Sequence, residues 1–373
     1  MHPRGLKKSP DRWDNEPRGA VLTSFELPEE ISGPAAWYGP DLAARTDWVH
    51  TLGADEVAEV EAAVRVFERP GFDPSALRRE AFPLPTLGPR LARILAEVLD
   101  GRGFGLVRGL PVPEWGPRRS AAAFLGLGLH LGTLRPQNAR GHLLGHVRDQ
   151  GLSSRDPAVR IYQTRERQHY HTDSCDVVGL LCLHPARSGG LSSLVSSVTI
   201  FNELRRRRPD LARVLFEPIE TDRRGEVAPG QRPYFRIPVF NWHAGRLSTI
   251  YHRSYIESAR RLEGVPPLTS LQIEALDAFD ELANDSALHF EMEFRPGDVQ
   301  LVCNHSLLHD RTAFADWPEP DRKRHLLRLW LAPHGARPLP PAFADRYGSL
   351  TPGDRGGIAA AGGRRTIPWD PND

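Results

Sequence analysis

The sequence predicts a mainly β protein with flanking helices, built as a sandwich or barrel. Three observations carry this. The chain holds 33 glycines and 34 prolines, which multiplies turns and favours short strands over a helical bundle. From about Gly145 onward, short β-type runs recur with turn signals between them, the texture of a sandwich or barrel. Three of the five segments with helical spacing lie before residue 135, so helices flank the β core more than they interleave with it.

Taken in order, residues 1–20 are polar, and "SGPAAWYGPDL" (Ser32–Leu42) is turn-rich but brings Trp37 and Tyr38 to the body. "GADEVAEVEAAVRVFE" (Gly53–Glu68) has helical spacing with acids in its first turn, which suits the helix dipole. A second amphipathic helix lies in "TLGPRLARILAEVLDGRG" and stops at Gly101 and Gly103. "FGLVRGLPV" (Phe104–Val112) reads as a buried strand, and "RRSAAAFLGLGLHLGTL" as a third helix. Gly101, Gly103 and Gly105 follow a helix and precede a strand, the reverse of a dinucleotide loop, so they read as a turn. Strands are expected in "LLGHVRD", "RIYQTRE", "VVGLLCL" and "SSLVSS", then a helix over "SVTIFNELRRRRPDLARVL". The run Arg205–Arg208 in that helix reads as a solvated helix end. Strands follow in "YFRIPVFNW", "RLSTIYHR", "ALHFEMEF", "DVQLVCN" and "HLLRLWLAP", with a helix near Leu268–Asn284. There is no internal repeat. The organisation expected is a polar extension (1–45), one domain (46–345) and a loose glycine-rich tail (346–373).

With 48 basic and 47 acidic residues the net charge is +1, which gives no bulk attraction to nucleic acid or to a membrane. No apolar run approaches a membrane span, and the first residues lack the apolar stretch of a secretory signal. The three cysteines, Cys175, Cys182 and Cys303, form no CxxC pair; a reducing cytoplasm is the expected compartment. A small-molecule substrate is the expected partner. A homo-oligomer is compatible with the sequence but not predicted by it.

The chemistry concentrates in "RIYQTRERQHYHTDSCDVVGLL" (Arg160–Leu181), where His169, His171 and Asp173 alternate. On a strand the three would leave one face. A neutral imidazole and a carboxylate there supply two of the three facial ligands of non-haem Fe(II). Taken alone, HxD is equally a wet sheet face. A second such pair, His289 and Glu291 in "ALHFEMEF", reads as the polar face of a half-buried strand. A third ligand must come from elsewhere, and "FRPGDVQLVCNHSLLHDRTAF" (Phe294–Phe314) presents His305 and His309. In "RKRHLLRLWL", positions 324, 326 and 328 share a face, so Arg324 and Arg328 point together. Arginines inside a barrel require an anion, and a dicarboxylate meets a guanidinium with two parallel bonds; the alternative at this point is a salt-bridged or exposed strand face. Cys175 reads as a small buried hydrophobe.

The order of HxD, a "SGGLSS" turn, "PGD…N…LHDRTAF" and "RHLLRLWL" resembles the taurine dioxygenase (TauD/TfdA) family, over roughly Leu91 to Pro333. The resemblance implies a double-stranded β-helix (jelly roll, cupin-like) core. It implies Fe(II) as cofactor, with 2-oxoglutarate and O2 as co-substrates. By position, His171, Asp173 and His309 match the metal ligands, and Arg324 matches the arginine on the distal carboxylate of 2-oxoglutarate. Ser192 stands where the family often has a threonine for that carboxylate, and keeps the hydroxyl. Arg328 matches a residue that reaches the proximal carboxylate or an acidic substrate. Gln137, in "RPQNARG", lies where family members contact substrate; Arg253 is a further substrate candidate. Asn304 and Arg311 match supporting positions, and His169 becomes a neighbour lining the pocket. Asp173 fills the position that related halogenases leave to chloride, so the implied reaction is hydroxylation or desaturation of an unactivated C–H bond. The implied substrate is small and polar, amino-acid-like or carboxylate-bearing. Two other readings stay open at this point: a zinc hydrolase on the same ligands, and a non-catalytic metal-binding β-helix protein.

Overall fold

The computed structural model describes residues 25–68, 73, 78–153 and 159–371. Two sheets face each other. The strands of these sheets are β1 (Val49–Thr51), β2 (Phe104–Arg108), β3 (Thr133–Arg135), β4 (Leu144–Val147), β5 (Gln168–His171) and β6 (Val177–His184), followed by β7 (Ser192–Ser196), β8 (Phe290–Met292), β9 (Val299–Cys303), β10 (Leu307–Arg311) and β11 (His325–Ala332). The larger, seven-stranded sheet runs β1-β2-β9-β6-β11-β3, with β4 also paired to β11; the four-stranded sheet runs β8-β7-β10-β5. Only the β1–β2 pairing is parallel within these two sheets. This is the jelly-roll, double-stranded β-helix expected.

Strand alternation explains how three layers of core form. Along β11, Leu327, Leu329 and Leu331 face outward onto the helices Leu87–Asp100 and Val112–Leu131. Leu326 and Trp330 face the space between the sheets, beside Leu194, Val302 and Leu307. On the smaller sheet, Val195 and Leu308 face out under helices Ser197–Arg207 and Ser270–Ala283. A period of two thus gives each strand one face for helices and one for the interior. The interior face is the one that carries chemistry.

Several expectations are corrected. "RIYQTRE" is no strand: Ile161–Gln163 forms a 3-10 turn. The long helix after β7 breaks at Arg208, because Pro209 starts a second helix, Pro209–Val214. The strand carrying His309, β10, was not among the strands expected; it forms because Leu307 and Leu308 each find a core on opposite faces. The tail is not loose. Arg355 is fully buried, with its Nε 2.9 Å from Asp176 Oδ1, and Trp369 packs on Phe67 and under Arg118. The part of the N-terminal extension that is described also packs: Phe25, Leu27 and Ile31 lie on the helical layer of the smaller sheet. Residues 1–24 lie outside the described residues.

Candidate active site

Hydrogen-bond register places the first three polar groups. On the smaller sheet, His309 of β10 lies directly across from His171 of β5, and Arg311 lies across from Ser192 of β7. Between His309 and Arg311 the partner strand β5 accommodates one extra residue. That bulge turns the chain, and His169 is exposed while His171 is buried. His169 therefore leaves the face it was expected to share. Asp173 reaches the site from the segment just past the end of β5, not from the strand itself.

His171, Asp173 and His309 bring one donor atom each within 4.8 Å of one another. His171 Nε2 is 4.0 Å from Asp173 Oδ1, and His309 Nε2 is 3.8 Å from Asp173 Oδ2. His171 Nδ1 donates to the His169 carbonyl at 2.8 Å, which leaves the lone pair on Nε2, where the Gln168 amide now sits at 2.9 Å. Burial pushes both imidazoles toward the neutral form, His309 down to about 3. Burial works against the Asp173 carboxylate, but Arg328 leads the opposing influences, with the Trp330 N–H beside it, and the group is held at about 2. Two neutral imidazoles and an ionised carboxylate are the donor set that a divalent iron ion takes on one face, so the residues fit the metal.

The support around Asp173 is specific. Trp330 Nε1 donates to Oδ2 at 2.9 Å, and Arg328 Nη1 stands 3.4 Å from the same oxygen. The Asp173 N–H donates to Asn304 Oδ1 at 2.9 Å, and Asn304 Nδ2 donates to Cys175 Sγ at 3.2 Å. Such outer contacts fix ligand orientation. His305 is occupied elsewhere, 2.7 Å from Asp176 in a buried pair. Glu291 is exposed, so the rival pair with His289 makes no site.

Beside the triad lies a small cavity between the sheets. It is lined by His171, His309, Ser192, Arg311, Arg324 and Arg328. Arg324 is only 3% exposed and Arg311 only 6%. Arg324 Nη1 has no partner, and its one weak bond runs from Nη2 to the Gly190 carbonyl at 3.4 Å. Arg311 Nε and Nη1 also lack partners; its Nη2 donates to the Glu166 carbonyl. Neither makes an ion pair among the described residues. Burial, and then Arg311 beside it, pulls Arg324 down to about 9; burial alone leads for Arg311, held at about 10. Two buried, underbonded guanidiniums in one cavity mark a seat for a carboxylate. The "SGGLSS" turn makes room for it: Gly190 sits at φ +68, and a Cβ there would come within 2.8 Å of Arg324 Nε.

Arg328 is aimed by Gln137. Its Nε donates to Gln137 Oε1 at 2.7 Å, while Gln137 Nε2 donates to the Leu143 and Arg328 carbonyls. Gly145 leaves space for this amide, since a Cβ there would meet Gln137 Oε1 at 2.6 Å. With both ends of its amide engaged, Gln137 orients Arg328. Arg253 lies apart, bonded to Glu257, Asp277 and Asp280. Residues that sequence reasoning passed over are His252, whose ring is 5.2 Å from that of His171, and Tyr255 stacked on it at 3.6 Å. Arg160 Nη1 donates to the Tyr255 hydroxyl at 3.1 Å, Arg346 lines a second small cavity with His252 and Tyr255, and no spacing rule marked any of the four.

The Taurine catabolism dioxygenase TauD, TfdA family matches residues 70–330. The chain belongs to this family. It is 33% identical over 332 residues to FR-33289 synthase of Streptomyces rubellomurinus, covering 86% of this chain and 96% of that protein. It is 31% identical to the taurine hydroxylase-like protein SAT17 of Stachybotrys chartarum, over 82% of this chain and 80% of the relative. Among solved structures, an asparagine oxygenase in complex with Fe(II), 3-hydroxyasparagine and succinate matches its fold with TM-score 0.60. That match has 18% identity and covers 76% of this chain and 93% of the other. Membership makes the protein an Fe(II)- and 2-oxoglutarate-dependent oxygenase, which sets aside the zinc hydrolase and the non-catalytic binder. No helix among the described residues is long and apolar enough to cross a membrane.

Proposed function

We propose that the protein hydroxylates, or desaturates, an unactivated C–H bond of a small polar, amino-acid-like or carboxylate-bearing substrate, with His171, Asp173 and His309 as iron ligands. The observation that carries the site assignment is the pairing of this triad with the underbonded Arg324 in one cavity. Bound Fe(II) with 2-oxoglutarate and O2 supplies oxidative decarboxylation to succinate and CO2, with oxidation of the substrate carbon.

The chain's own residues prepare this. His171 and His309 offer lone pairs because burial keeps both neutral. Trp330 and Arg328 keep Asp173 ionised and turned inward. Arg324, with Ser192 and Arg311 on the same cavity wall, holds the distal carboxylate of 2-oxoglutarate. The hydroxyl of Ser192 donates to Gln300 Oε1 at 3.1 Å, which leaves its lone pairs facing the cavity. Arg328, held by Gln137, serves the proximal carboxylate or an acidic group of the substrate. Val178, Leu180 and Leu326 line the remaining wall and exclude water. The amino-acid-like reading draws on the asparagine oxygenase that shares the fold.

Succinate release, measured over a panel of amino acids and small acids with Fe(II) and 2-oxoglutarate, tests this. Substrate-stimulated succinate that disappears in Asp173→Ala is expected. Turnover sustained by zinc without 2-oxoglutarate would overturn it.

A further inference from the structure

Asp173 is the one proposed iron ligand that no strand holds. It stands on the segment Thr172–Asp176, between β5 and β6. The core bonds this segment at its ends. Thr172 N–H donates to the Tyr251 carbonyl at 2.9 Å, and Asn304 accepts from Asp173 N–H and gives its own N–H to the Asp176 carbonyl at 3.0 Å. The middle is held by the tail. Arg346 Nε donates to Ser174 Oγ at 2.7 Å, and the Gly357 N–H donates to the Ser174 carbonyl at 2.7 Å. Among the described residues, the hydroxyl and carbonyl of Ser174 have only these tail partners. The Tyr347 hydroxyl reaches the Cys175 carbonyl at 3.4 Å, and Arg355 Nη2 lies 2.8 Å from Asp176 Oδ1. The residues that follow the ligand, Ser174, Cys175 and Asp176, are thus each bonded to the tail.

Two glycines allow so close an approach. Gly356 sits at φ +73, and a Cβ there would lie 2.9 Å from the Ser174 carbonyl oxygen; Gly357 sits at φ +83, and its Cβ would lie 2.9 Å from the Pro136 carbonyl oxygen. The tail is wedged between the ligand segment and the loop after β3. On the loop side, Arg135 Nε donates to the Gly356 carbonyl at 3.0 Å, and Ile358 N–H donates to the Pro136 carbonyl at 2.8 Å. Pro136 precedes Gln137, whose amide aims Arg328. The Tyr347 ring also lies 5.8 Å from that of His305, on the approach to the strand of His309. One short strap, past the residues that match the family, therefore touches the segments that deliver Asp173, His309 and the partner of Arg328. We propose that the strap Arg346–Ile358 positions the iron ligand Asp173, with Arg346 acting through Ser174, so that strap docking and iron binding stabilise each other. This rests on the function proposed above and extends its metal site to the tail. By linkage, the factor by which the docked strap raises iron affinity is the factor by which iron favours docking. Contacts that orient a ligand from outside are worth about ten- to a hundredfold in metal affinity.

The test is amide hydrogen exchange of the full chain without oxygen, read by mass spectrometry on peptides spanning residues 346–358, with and without saturating Fe(II). Iron is expected to slow exchange there by about tenfold or more, beyond any slowing in helix Ser270–Ala283, which packs on the smaller sheet. Anaerobic Fe(II) titrations then compare wild type with Ser174→Ala, Arg346→Met and the double variant. Arg346→Met should weaken Fe(II) by about tenfold or more, and Ser174→Ala should act in the same direction. The double variant should lose no more than Arg346→Met, because the two substitutions remove one shared bond. Arg346→Lys, which keeps a donor, should recover part of the loss. A merely structural arginine would lower the melting temperature without moving iron affinity, and its effect would add to that of Ser174→Ala. Strap exchange that iron does not slow, iron affinity within twofold of wild type in Arg346→Met, or additive losses in the double variant would each overturn the proposal. The exchange measurement on wild type decides the matter even where Arg346→Met does not fold. A wild-type protein that binds no Fe(II) would instead sink the function on which the proposal rests.

Discussion

Replacing Arg324 by methionine separates a ligand clamp from a structural arginine. In the folded protein burial, followed by the neighbouring Arg311, lowers Arg324 from 12.5 to about 9. For a base with a depressed folded pKa, the penalty is fully present below about 9 and is released as pH rises from there to 12.5. At pH 7 the guanidinium is therefore charged and destabilising, by roughly 5 kcal/mol from about 1.4 kcal/mol per pKa unit. Methionine keeps the apolar stem and removes the charge, so without 2-oxoglutarate the variant should melt a few degrees above the wild type. With 2-oxoglutarate the order reverses. Truncating one partner of a buried, hydrogen-bonded ion pair costs about 2–5 kcal/mol, so affinity should fall by about a hundredfold or more. Calorimetric titration gives the affinity and scanning calorimetry the stability. An affinity within threefold of wild type, or a co-substrate-free variant that melts well below it, would refute the reasoning.

Other consequences follow from the same geometry. Arg311→Met should weaken 2-oxoglutarate by about tenfold but leave 2-oxovalerate, which lacks the distal carboxylate, unaffected, since only a charge-assisted bond of about 1.5–3 kcal/mol is lost; equal losses for both acids would make Arg311 a structural strut. His169→Ala should retain stoichiometric iron by metal analysis, while His171→Ala should not, because only His171 faces the interior. Arg355→Met should lower stability by about 3–5 kcal/mol by taking the guanidinium from buried Asp176 and leaving it only His305, measured by denaturant unfolding; an unchanged midpoint would mean the tail contributes no anchor. Burial beside His146 holds His325 at about 3. That stability is complete above about 6.5 and falls as the pH drops from there toward 3, at up to about 1.4 kcal/mol per unit, so melting of His325→Phe should depend less on pH than that of wild type.

The proposed metal triad is brought together in the fold as the sequence suggested: HxD alone was equally a wet sheet face, and the distant "LLHDRTAF" supplied the third donor and "RHLLRLWL" the arginines beside it. The interior placement of Arg328 was legible because β11 alternates regularly from Leu326 onward, whereas Arg324 stands just before the strand, where the pairing to β6 shifts register between His325 and Leu326. His169 was misplaced because a bulge in β5 changes which way it points, and a bulge depends on the partner strand. Gln137 was placed near the site, but its bond to Arg328 was not legible, since only the folded chain brings its amide there. Arg160, Arg346 and Tyr255 gave no signal at all: they come from a turn, a short helix near the tail and a helix after β-hairpins, joined only by tertiary packing. The tail was misjudged for the same reason. Its glycines permit a loose chain, but Arg355 finds Asp176, and composition alone does not show a partner 179 positions away.

The most direct test of the site is an anaerobic titration of 2-oxoglutarate into the Fe(II)-loaded protein, followed by the charge-transfer absorption of the chelate. One equivalent of chelate should form in the wild type, and none in His171→Ala, Asp173→Ala or His309→Ala. A folded wild-type protein without the band, or a band that survives all three substitutions, would contradict the assignment of iron and 2-oxoglutarate to this cavity.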